Sequence, residues 1–390
     1  MCCVRNAGAR CGGRRGRRSE TWTRSPGRFG TSGGTRSATG ARSHFPPLDR
    51  RLGIPQRGAS ARLIRKVCEA NRAGSFEGAA RLLNGLAGLH ITAKQVQLLT
   101  ERVGAIQARQ RDAATESFLR LRLSPAPPAD PIQLMVITAD GGRVQTIQND
   151  PDEKWKENKV GVVYDAVPTP EQPGVEYHGP HPVTRSVGAT MAPWEKLGDH
   201  LSALANRRGY AHAREKVFIS DGAQGIRSVR EKSFPDAAFV LDWAHAAEHV
   251  HQTAQAAFGN AAKAKPWTER QKTRLWKGQL PAFFKDIQKL ADTLGPPPPK
   301  AKPNDPRHIL ANQLDYFTTH RAGLDYPTFR KRGWPVGSAI IESTIKQLAK
   351  RVKGTEKHWT TTSAEQTLQV IAQILSEDHS CPKQLFGSGQ

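Results

Sequence analysis

Long apolar runs are absent from this chain of 390 residues. No stretch of 18 consecutive apolar residues occurs, so the sequence predicts no membrane-spanning helix. No apolar segment follows the basic N-terminus, and we therefore expect no secretory signal. Cysteine is also scarce. The five cysteines are odd in number and widely scattered, which argues against a disulfide framework and fits a reducing compartment.

Acidic residues are few compared with basic ones. The chain has 35 Asp and Glu against 58 Lys and Arg, a formal net charge of +23. Such an excess opposes folding, because like charges repel one another in the compact state. It suits a polyanionic partner, whose phosphates release counterions when cations neutralise them. The charge favours nucleic-acid binding, and the alternative is a ribosomal-type or merely soluble basic protein.

Residues 1–45 differ in composition from the rest of the chain. The first 44 residues contain ten Arg and nine Gly but no Lys, Leu or Ile. A segment without apolar side chains to bury does not fold alone, so we expect a disordered tail. Two interpretations stand: an Arg/Gly-rich arm that binds nucleic acid, or a truncated or mistranslated segment from GC-rich DNA.

Residues 46–130 carry a helical pattern, with apolar residues at i, i+3 and i+4 from about residue 60. One helix is predicted from Phe76 to Leu86 and another from Ala93 to Val103, with Thr92 as N-cap. Two short helices joined by a Gly-containing turn are typical of a DNA-binding helix-turn-helix. An ordinary helical hairpin is the alternative. A Pro-rich stretch at 125–128 ends this region.

Residues 131–254 have the pattern of an α/β domain. Short apolar runs predict strands at 133–139, 143–147, 159–166, 217–220 and 238–241. A helix at 193–208 separates the third strand from the fourth, and the Asp-Gly pair at Asp140 predicts a hairpin between the first two. This order is typical of a ribonuclease-H-like mixed sheet. The helix between the last two strands would have to be short.

The remainder of the chain is predicted to be helical. Residues 255–335 are basic, mostly helical and broken by four consecutive prolines, as expected of an insertion. Helices at 338–353 and 364–376 would return the chain, within 336–380, to the catalytic domain. The expected fold class is therefore α/β, a ribonuclease-H-like sheet with a helical insertion and an α-helical N-terminal region.

Two aspartates follow predicted strands. Asp140 and Asp221 each end an apolar strand and precede a glycine. Asp-Gly is a common turn pair, so each taken alone indicates a turn. Together they indicate more, because strands one and four are neighbours in the predicted sheet. Two carboxylates at adjacent strand ends repel one another unless a proton or cation lies between them, and hard cations such as Mg²⁺ prefer carboxylate oxygens.

A third carboxylate is expected from a late helix, and Glu342 fits. Its apolar neighbours predict a partly buried face, on which a glutamate normally needs a partner or a metal. Lys346, Lys350 and Lys353 follow at helical spacing and could hold phosphates. The alternative is a salt-bridged surface helix. Further DNA contacts are expected from the nearby cation Arg351, also Lys357, and from Trp359, on which unpaired bases could stack.

A rival site lies just after the fifth strand. His245, Glu248 and His249 match the H-x-x-E-H pattern of inverted zinc proteases. Such a site needs a third protein ligand, usually downstream, yet the only glutamate between His251 and Ile341 is Glu269. A strong positive charge is of no use to a protease. We expect instead that His245 is structural or lies against DNA or the edge of a metal site.

Five ordered motifs resemble a known family, the bacterial insertion-sequence transposases of the ISKra group, which are similar in plan to Mutator-like DDE transposases. The resemblance covers residues 46–375. The motifs are Thr138-Ala-Asp140-Gly-Gly, Trp155-Lys-Glu-Asn-Lys-Val-Gly-Val-Val163, Ile219-Ser-Asp221-Gly-Ala-Gln-Gly-Ile226, Leu241-Asp-Trp-Ala-His245-Ala-Ala-Glu-His249 and Gly337-Ser-Ala-Ile-Ile-Glu342-Ser.

The resemblance implies a catalytic triad of Asp140, Asp221 and Glu342, with Asp242 and His245 as a D-x-x-H signature. It also implies two Mg²⁺ or Mn²⁺ ions, double-stranded DNA as element end and target, a homodimer in the active complex, and a bacterial cytoplasmic, nucleoid-associated location. Relatives often carry a Cys-rich zinc-binding stretch ahead of residues 47–49, where this chain has only Cys11-Gly-Gly. The alternatives are an inactive DNA-binding remnant and a ribonuclease-H-like nuclease without strand transfer.

Overall fold

The computed structural model describes residues 59–147, 154–354 and 356–377. The tail predicted at 1–45 lies outside the described residues. The strands, numbered β1 to β5, are Leu134–Gln145, Trp155–Val167, His181–Thr190, Glu215–Ser220 and Ala238–Leu241. The described helices, numbered α1 to α12, are Ala61–Ala70, Phe76–Ala87, Ala93–Leu121, Trp194–Arg207, Gln224–Ser233, Trp243–Phe258, Ala261–Trp276, Leu280–Leu294, Pro306–Thr319, Tyr326–Arg332, Ala339–Val352 and Thr361–Leu375.

The five strands form one mixed sheet in the order β3-β2-β1-β4-β5. Strands β1, β2 and β3 pair antiparallel, whereas β4 runs parallel to β1 and β5 runs parallel to β4. The first strand and the fourth are neighbours, as predicted. The predicted short helix between the last two strands is also confirmed, because α5 has ten residues.

The predicted hairpin at Asp140 is wrong. β1 runs without interruption through Asp140, Gly141 and Gly142, which pair with β2, and the second predicted strand is the end of β1. Neither glycine has a positive φ, so both take extended backbone instead of the turn expected of Asp-Gly. The third antiparallel strand is β3, which the sequence pattern did not predict, because the first half of that strand is exposed and carries few apolar residues.

Helices cover the two faces of the sheet. On one face, Val136 of β1 belongs to a large core that includes Ile341 and Leu348 of α11 and residues of α6, α12 and the insertion. On the other face, Ile137 packs in a smaller core with α4 and α5. The close approach of α4 needs Gly161, where a Cβ would lie 2.5 Å from Leu201. Odd and even positions of β1 thus face different layers.

The helix predicted at 93–103 begins where expected but is far longer. Thr92 caps α3 through a capping box with Gln95, and α3 has 29 residues. Its first turns pack with α1 and α2 in a small core. Its later turns pack against α12 and α4. The prediction of two short helices is therefore wrong for the second, which continues onto the helices beside the sheet.

The stretch predicted as a mostly helical insertion does contain helices, α7 to α10. Helix α6 ends at Phe258, later than the predicted end near His251, so it extends into the start of that stretch. The division of the chain into domains stays a prediction. In the described part of the chain, no helix is long and apolar enough to cross a bilayer.

Candidate active site

Asp140 and Asp221 lie side by side at the sheet. Thr138 of β1 is paired with Ile219 of β4, and each aspartate comes two residues later in its own strand or just beyond it. Neighbouring strands are about 4.8 Å apart. Side chains two residues apart share a face, and Val136 and Ile219 both belong to the large core. Both aspartates are therefore directed to the face covered by α11.

Glu342 comes to this face from the first turn of α11. Ile341 and Leu348 of that helix are 1% exposed and pack in the large core, which fixes the helix against β1. The Glu342 side chain remains 43% exposed, with Lys346 Nζ 3.6 Å from its Oε2. Glu342 thus forms the ion pair expected of a salt-bridged surface helix, and it also lies on the face to which the two aspartates are directed.

The charges of Asp221 and Glu342 both act on Asp140. Burial raises the pKa of Asp140, and a 2.6 Å hydrogen bond from the Gly141 amide opposes this. The negative charges of Asp221 and Glu342 raise the pKa further. Nearby His245 lowers it. Two negative charges that act on a third carboxylate favour a proton or a cation between the groups.

The donor set fits a hard divalent cation in its chemistry. All three groups offer carboxylate oxygens, the ligands that Mg²⁺ and Mn²⁺ prefer, and all three are partly exposed to the water that such ions retain. Within the described ranges, no three His, Cys, Asp or Glu side chains already stand close enough to form a metal-binding group. The fit therefore rests on oxygen chemistry and on mutual repulsion.

Asp242 joins two elements of the site. It is fully buried at the start of α6, where its Oδ1 accepts a hydrogen bond from the His245 amide at 2.9 Å. Its Oδ2 accepts a bond from the amide of Ser338, the N-cap of α11, at 2.6 Å. This carboxylate fixes the starts of α6 and α11 relative to each other. It thereby positions both His245 and Glu342.

The two histidines of the H-x-x-E-H pattern have different partners. The His249 ring stacks on Tyr316 at 3.6 Å between centroids, and its Nδ1 lies 2.7 Å from Gln313 Oε1. Burial lowers the pKa of His249. His245 instead remains 39% exposed and acts electrostatically on Asp140. His249 is thus packed against the insertion, whereas His245 is directed towards the carboxylates, although its charge also acts on His249.

The expected DNA-contacting residues divide into two groups. Lys346, Lys350 and Lys353 are exposed along and just after α11. The prediction for Arg351 and Trp359 is contradicted by their burial, with 2% and 5% exposure. The Arg351 guanidinium lies over Phe76, 3.7 Å from the ring centroid, and Trp359 Nε1 donates to the Val352 carbonyl at 2.8 Å. Both residues hold the N-terminal helices against α11.

Lys357, a further expected cation, also has internal partners. Its Nζ donates to the carbonyl oxygens of Gly74 at 2.7 Å and Lys350 at 2.9 Å. Desolvation lowers its pKa. It therefore ties the turn after α11 to the turn before α2.

Two residues of the insertion support the turn at Asp221. The sequence did not predict these contacts. Tyr316 Oη donates to the Asp221 carbonyl at 2.7 Å, and His320 Nε2 lies 3.0 Å from the Gly222 carbonyl. Gly222 has a φ of +81°, and a Cβ there would lie 2.6 Å from His320. Helix α9 thus holds this turn in place. The pattern of residues in this helix does not predict that Tyr316 and His320 contact the turn.

Comparisons with known proteins identify no family. No protein-family model and no curated protein match the chain. A solved structure described as a Drosophila P element transposase strand transfer complex is similar over 85% of this chain and 95% of that chain. The sequence identity is 10% and the TM-score is 0.34. A likeness of this size carries no argument about activity, and membership of the ISKra group stays a prediction.

Proposed function

We propose that this chain is a DNA transposase of the DDE type with a ribonuclease-H-like core. One observation carries the proposal. Three carboxylates from separate elements, namely Asp140 in β1, Asp221 after β4 and Glu342 in α11, are directed to one face of a mixed sheet. The strand order, with three antiparallel strands followed by two parallel ones, supports a ribonuclease-H-like sheet.

Charge supports a polyanionic substrate. The formal net charge is +23, and exposed Lys346 lies one helical turn after Glu342. A phosphodiester brought to the carboxylates would otherwise be repelled, so cations beside them are needed to hold it. Double-stranded DNA, both the element end and the target, is the partner we infer. Coordinated cutting of two ends further implies a homodimer in the active complex.

Asp140, Asp221 and Glu342 would together hold two Mg²⁺ or Mn²⁺ ions. When bound, such ions activate water and stabilise the leaving 3′-oxygen. The charges of both other carboxylates raise the pKa of Asp140. Asp242 keeps Glu342 in place through the Ser338 amide, and Tyr316 keeps Asp221 in place through its carbonyl.

The reaction we infer has two displacements at phosphorus. In the first, a water oxygen attacks the phosphodiester at the element end, the bond to the 3′-oxygen breaks, and a 3′-hydroxyl is released opposite a 5′-phosphate. In the second, that hydroxyl attacks a target phosphodiester in line, and the target 3′-oxygen leaves. Each step forms one P–O bond and breaks another, so neither needs an oxidant. Because water or the 3′-hydroxyl attacks phosphorus directly, no covalent enzyme intermediate is formed.

A cleavage assay tests the proposal. A labelled duplex carrying the element end is incubated with the wild type, Asp221→Ala or Glu342→Gln, in Mg²⁺, in Mn²⁺ and with EDTA. We expect metal-dependent nicking by the wild type and its loss in both variants, with DNA affinity nearly retained. Lys265→Ala, a surface change on α7, is the control and should nick normally.

The alternatives predict different products. Binding without nicking by the wild type would indicate a DNA-binding remnant and refute the enzyme. Nicking without joining of the 3′-hydroxyl to a target plasmid would indicate a nuclease without strand transfer. Loss of both binding and nicking in a variant would indicate unfolding, which thermal denaturation of the same sample identifies.

A further inference from the structure

Asn158 is a buried amide beside the carboxylate site. It lies on β2 directly opposite Gly142, two residues along from the Val160 that pairs with Asp140. Val160 and Val162 belong to the large core, so Asn158 shares their face of the sheet. Asp140 is directed to that same face. Asn158 and Asp140 therefore form a diagonal pair on adjacent strands, within about 7–8 Å of one another.

The amide occupies space that a side chain at Gly142 would fill. A Cβ on Gly142 would lie 2.6 Å from Asn158 Oδ1 and 3.2 Å from Nδ2. Because glycine leaves this position open, the amide can lie across the strand next to Asp140. The glycine at 142 is thus explained by its neighbour, since its backbone is extended and needs no special φ.

Asn158 is 3% exposed, yet its amide makes no hydrogen bond with any residue that the structure describes. Its amide atoms still reach solvent, because they are not among the fully buried side-chain atoms that lack a partner. A substrate bound at the carboxylate site can therefore contact them.

We propose that the Asn158 amide donates a hydrogen bond from Nδ2 to a non-bridging oxygen of the reacting phosphate. The inference rests on the proposed function. Three carboxylates already supply the negative ligands for cations, whereas the oxygens of a bound phosphate need hydrogen-bond donors. A neutral amide held by the sheet supplies one without a charge to desolvate, and it is in place before the reaction begins.

The test compares single-turnover cleavage of the element-end duplex by the wild type, Asn158→Ala and Asn158→Asp. The control is Asn206→Ala, which removes an amide that donates to Leu123 on the far side of the sheet. We expect Asn158→Ala to cleave about 100-fold more slowly or worse. Asn158→Asp should be at least as slow, because a carboxylate cannot donate. DNA affinity should change less than threefold in Asn158→Ala.

A modified substrate tests the contact itself. Methylphosphonate at the scissile position replaces one non-bridging oxygen with a methyl group, and both diastereomers are assayed. One diastereomer should slow the wild type strongly yet slow Asn158→Ala no further, because the same contact is already missing. Fully additive losses with both diastereomers would overturn the proposal. Cleavage by Asn158→Asp at the wild-type rate would also overturn it, by indicating an oxygen ligand instead of a donor.

Gly142→Ala tests the same amide without removing it. The added methyl would displace the Asn158 side chain from its place over the strand. Cleavage should fall, with the same insensitivity to the modified phosphate. Wild-type rates in either Gly142→Ala or a folded Asn158→Ala would refute the role of Asn158. A wild type that does not cleave refutes the proposed function and this inference together, whereas a cleaving wild type isolates the result for Asn158.

Discussion

Among single residues, His200 of α4 lies in surroundings that disfavour its protonated form. Thr115 Oγ1 lies 3.1 Å from its Nδ1, and the side chain is 8% exposed. Burial, helped by the positive charge of Arg111, lowers the pKa of His200 to about 4, although nearby Asp112 acts in the opposite direction. In the unfolded chain, the imidazole of this histidine has its ordinary pKa of about 6.5.

This pKa predicts a pH dependence of stability. Above pH 6.5 His200 is neutral in both states and its contribution to stability is fully present. Below pH 6.5 only the unfolded state gains the proton, so stability falls until about pH 4, by at most about 3 kcal/mol. We expect His200→Gln to lose less stability than the wild type between these pH values in urea unfolding. Parallel curves for the two proteins would contradict the assignment.

Arg351 and Lys350 are adjacent cations in different environments. Arg351 is buried between Phe76 and Trp359 and its Nε donates to Asn71 Oδ1 at 3.2 Å. Burial lowers its pKa to about 10, so it stays charged at neutral pH. Lys350 is exposed. Neighbouring residues of one helix thus serve interior packing in one case and the surface field in the other.

This contrast predicts opposite effects of two alanine substitutions. Arg351→Ala should lower the free energy of unfolding by about 2–4 kcal/mol, through lost stem packing and ring contact. Lys350→Ala should change it by less than about 0.5 kcal/mol. In DNA titrations against salt, only Lys350→Ala should reduce the slope, by about one. A reduced slope for folded Arg351→Ala would instead assign that residue to the DNA interface.

Among the elements, α3 and α12 approach more closely than side chains allow. A Cβ on Gly104 would lie 1.9 Å from the Gln366 carbonyl oxygen. The two helices are therefore in backbone contact at this point. Gly85 in α2 is the opposite case, because a Cβ there would meet nothing within 4 Å.

These two helical glycines predict changes of opposite sign. Gly104→Ala should destabilise the protein by about 1–3 kcal/mol or more, since the backbone of α12 must move. Gly85→Ala should stabilise it by about 0.5–1 kcal/mol, because alanine loses less conformational freedom on folding. Urea unfolding of both variants measures the difference. A neutral Gly104→Ala would show that α3 and α12 are not in backbone contact.

At the scale of the whole molecule, the carboxylate site opposes stability in the absence of cations. Burial, Asp221 and Glu342 all raise the pKa of Asp140, so the folded state disfavours its charged form at neutral pH. A group whose pKa is raised on folding stabilises the protein at low pH and loses that contribution as pH rises through its folded value. The repulsion is relieved by a bound cation.

Asp140→Asn should therefore have a higher unfolding temperature than the wild type in EDTA. When Mg²⁺ or Mn²⁺ is added, the unfolding temperature of the variant should rise less than that of the wild type. A ligand that binds only the folded state stabilises it in proportion to the logarithm of its concentration. Asp292→Asn, which changes an exposed acid on α8, is the control and should respond to metal as the wild type does. An equal metal response in Asp140→Asn would remove Asp140 from the ligand set.

The sequence by itself determined much of the local structure, and it predicted three carboxylates whose catalytic role stays a prediction. The fifth strand was predicted with the bounds that the structure has, and Thr92 does cap its helix. Apolar runs and capping residues act over a few neighbouring residues, so they can be recognised without a partner. Asp221 was recognisable for the same reason, since it follows such a run.

Only the tertiary structure decided which surfaces are covered. Asp140 lies within a continuous strand because β2 pairs with it on both sides of the glycines. Arg351 and Trp359 are interior because helices 280 residues earlier in the chain pack on them. The partner of a strand or a helix face is set by contacts between distant segments. Periodicity along the chain does not record these, and so the place of Asn158 beside Asp140 emerged only from the fold.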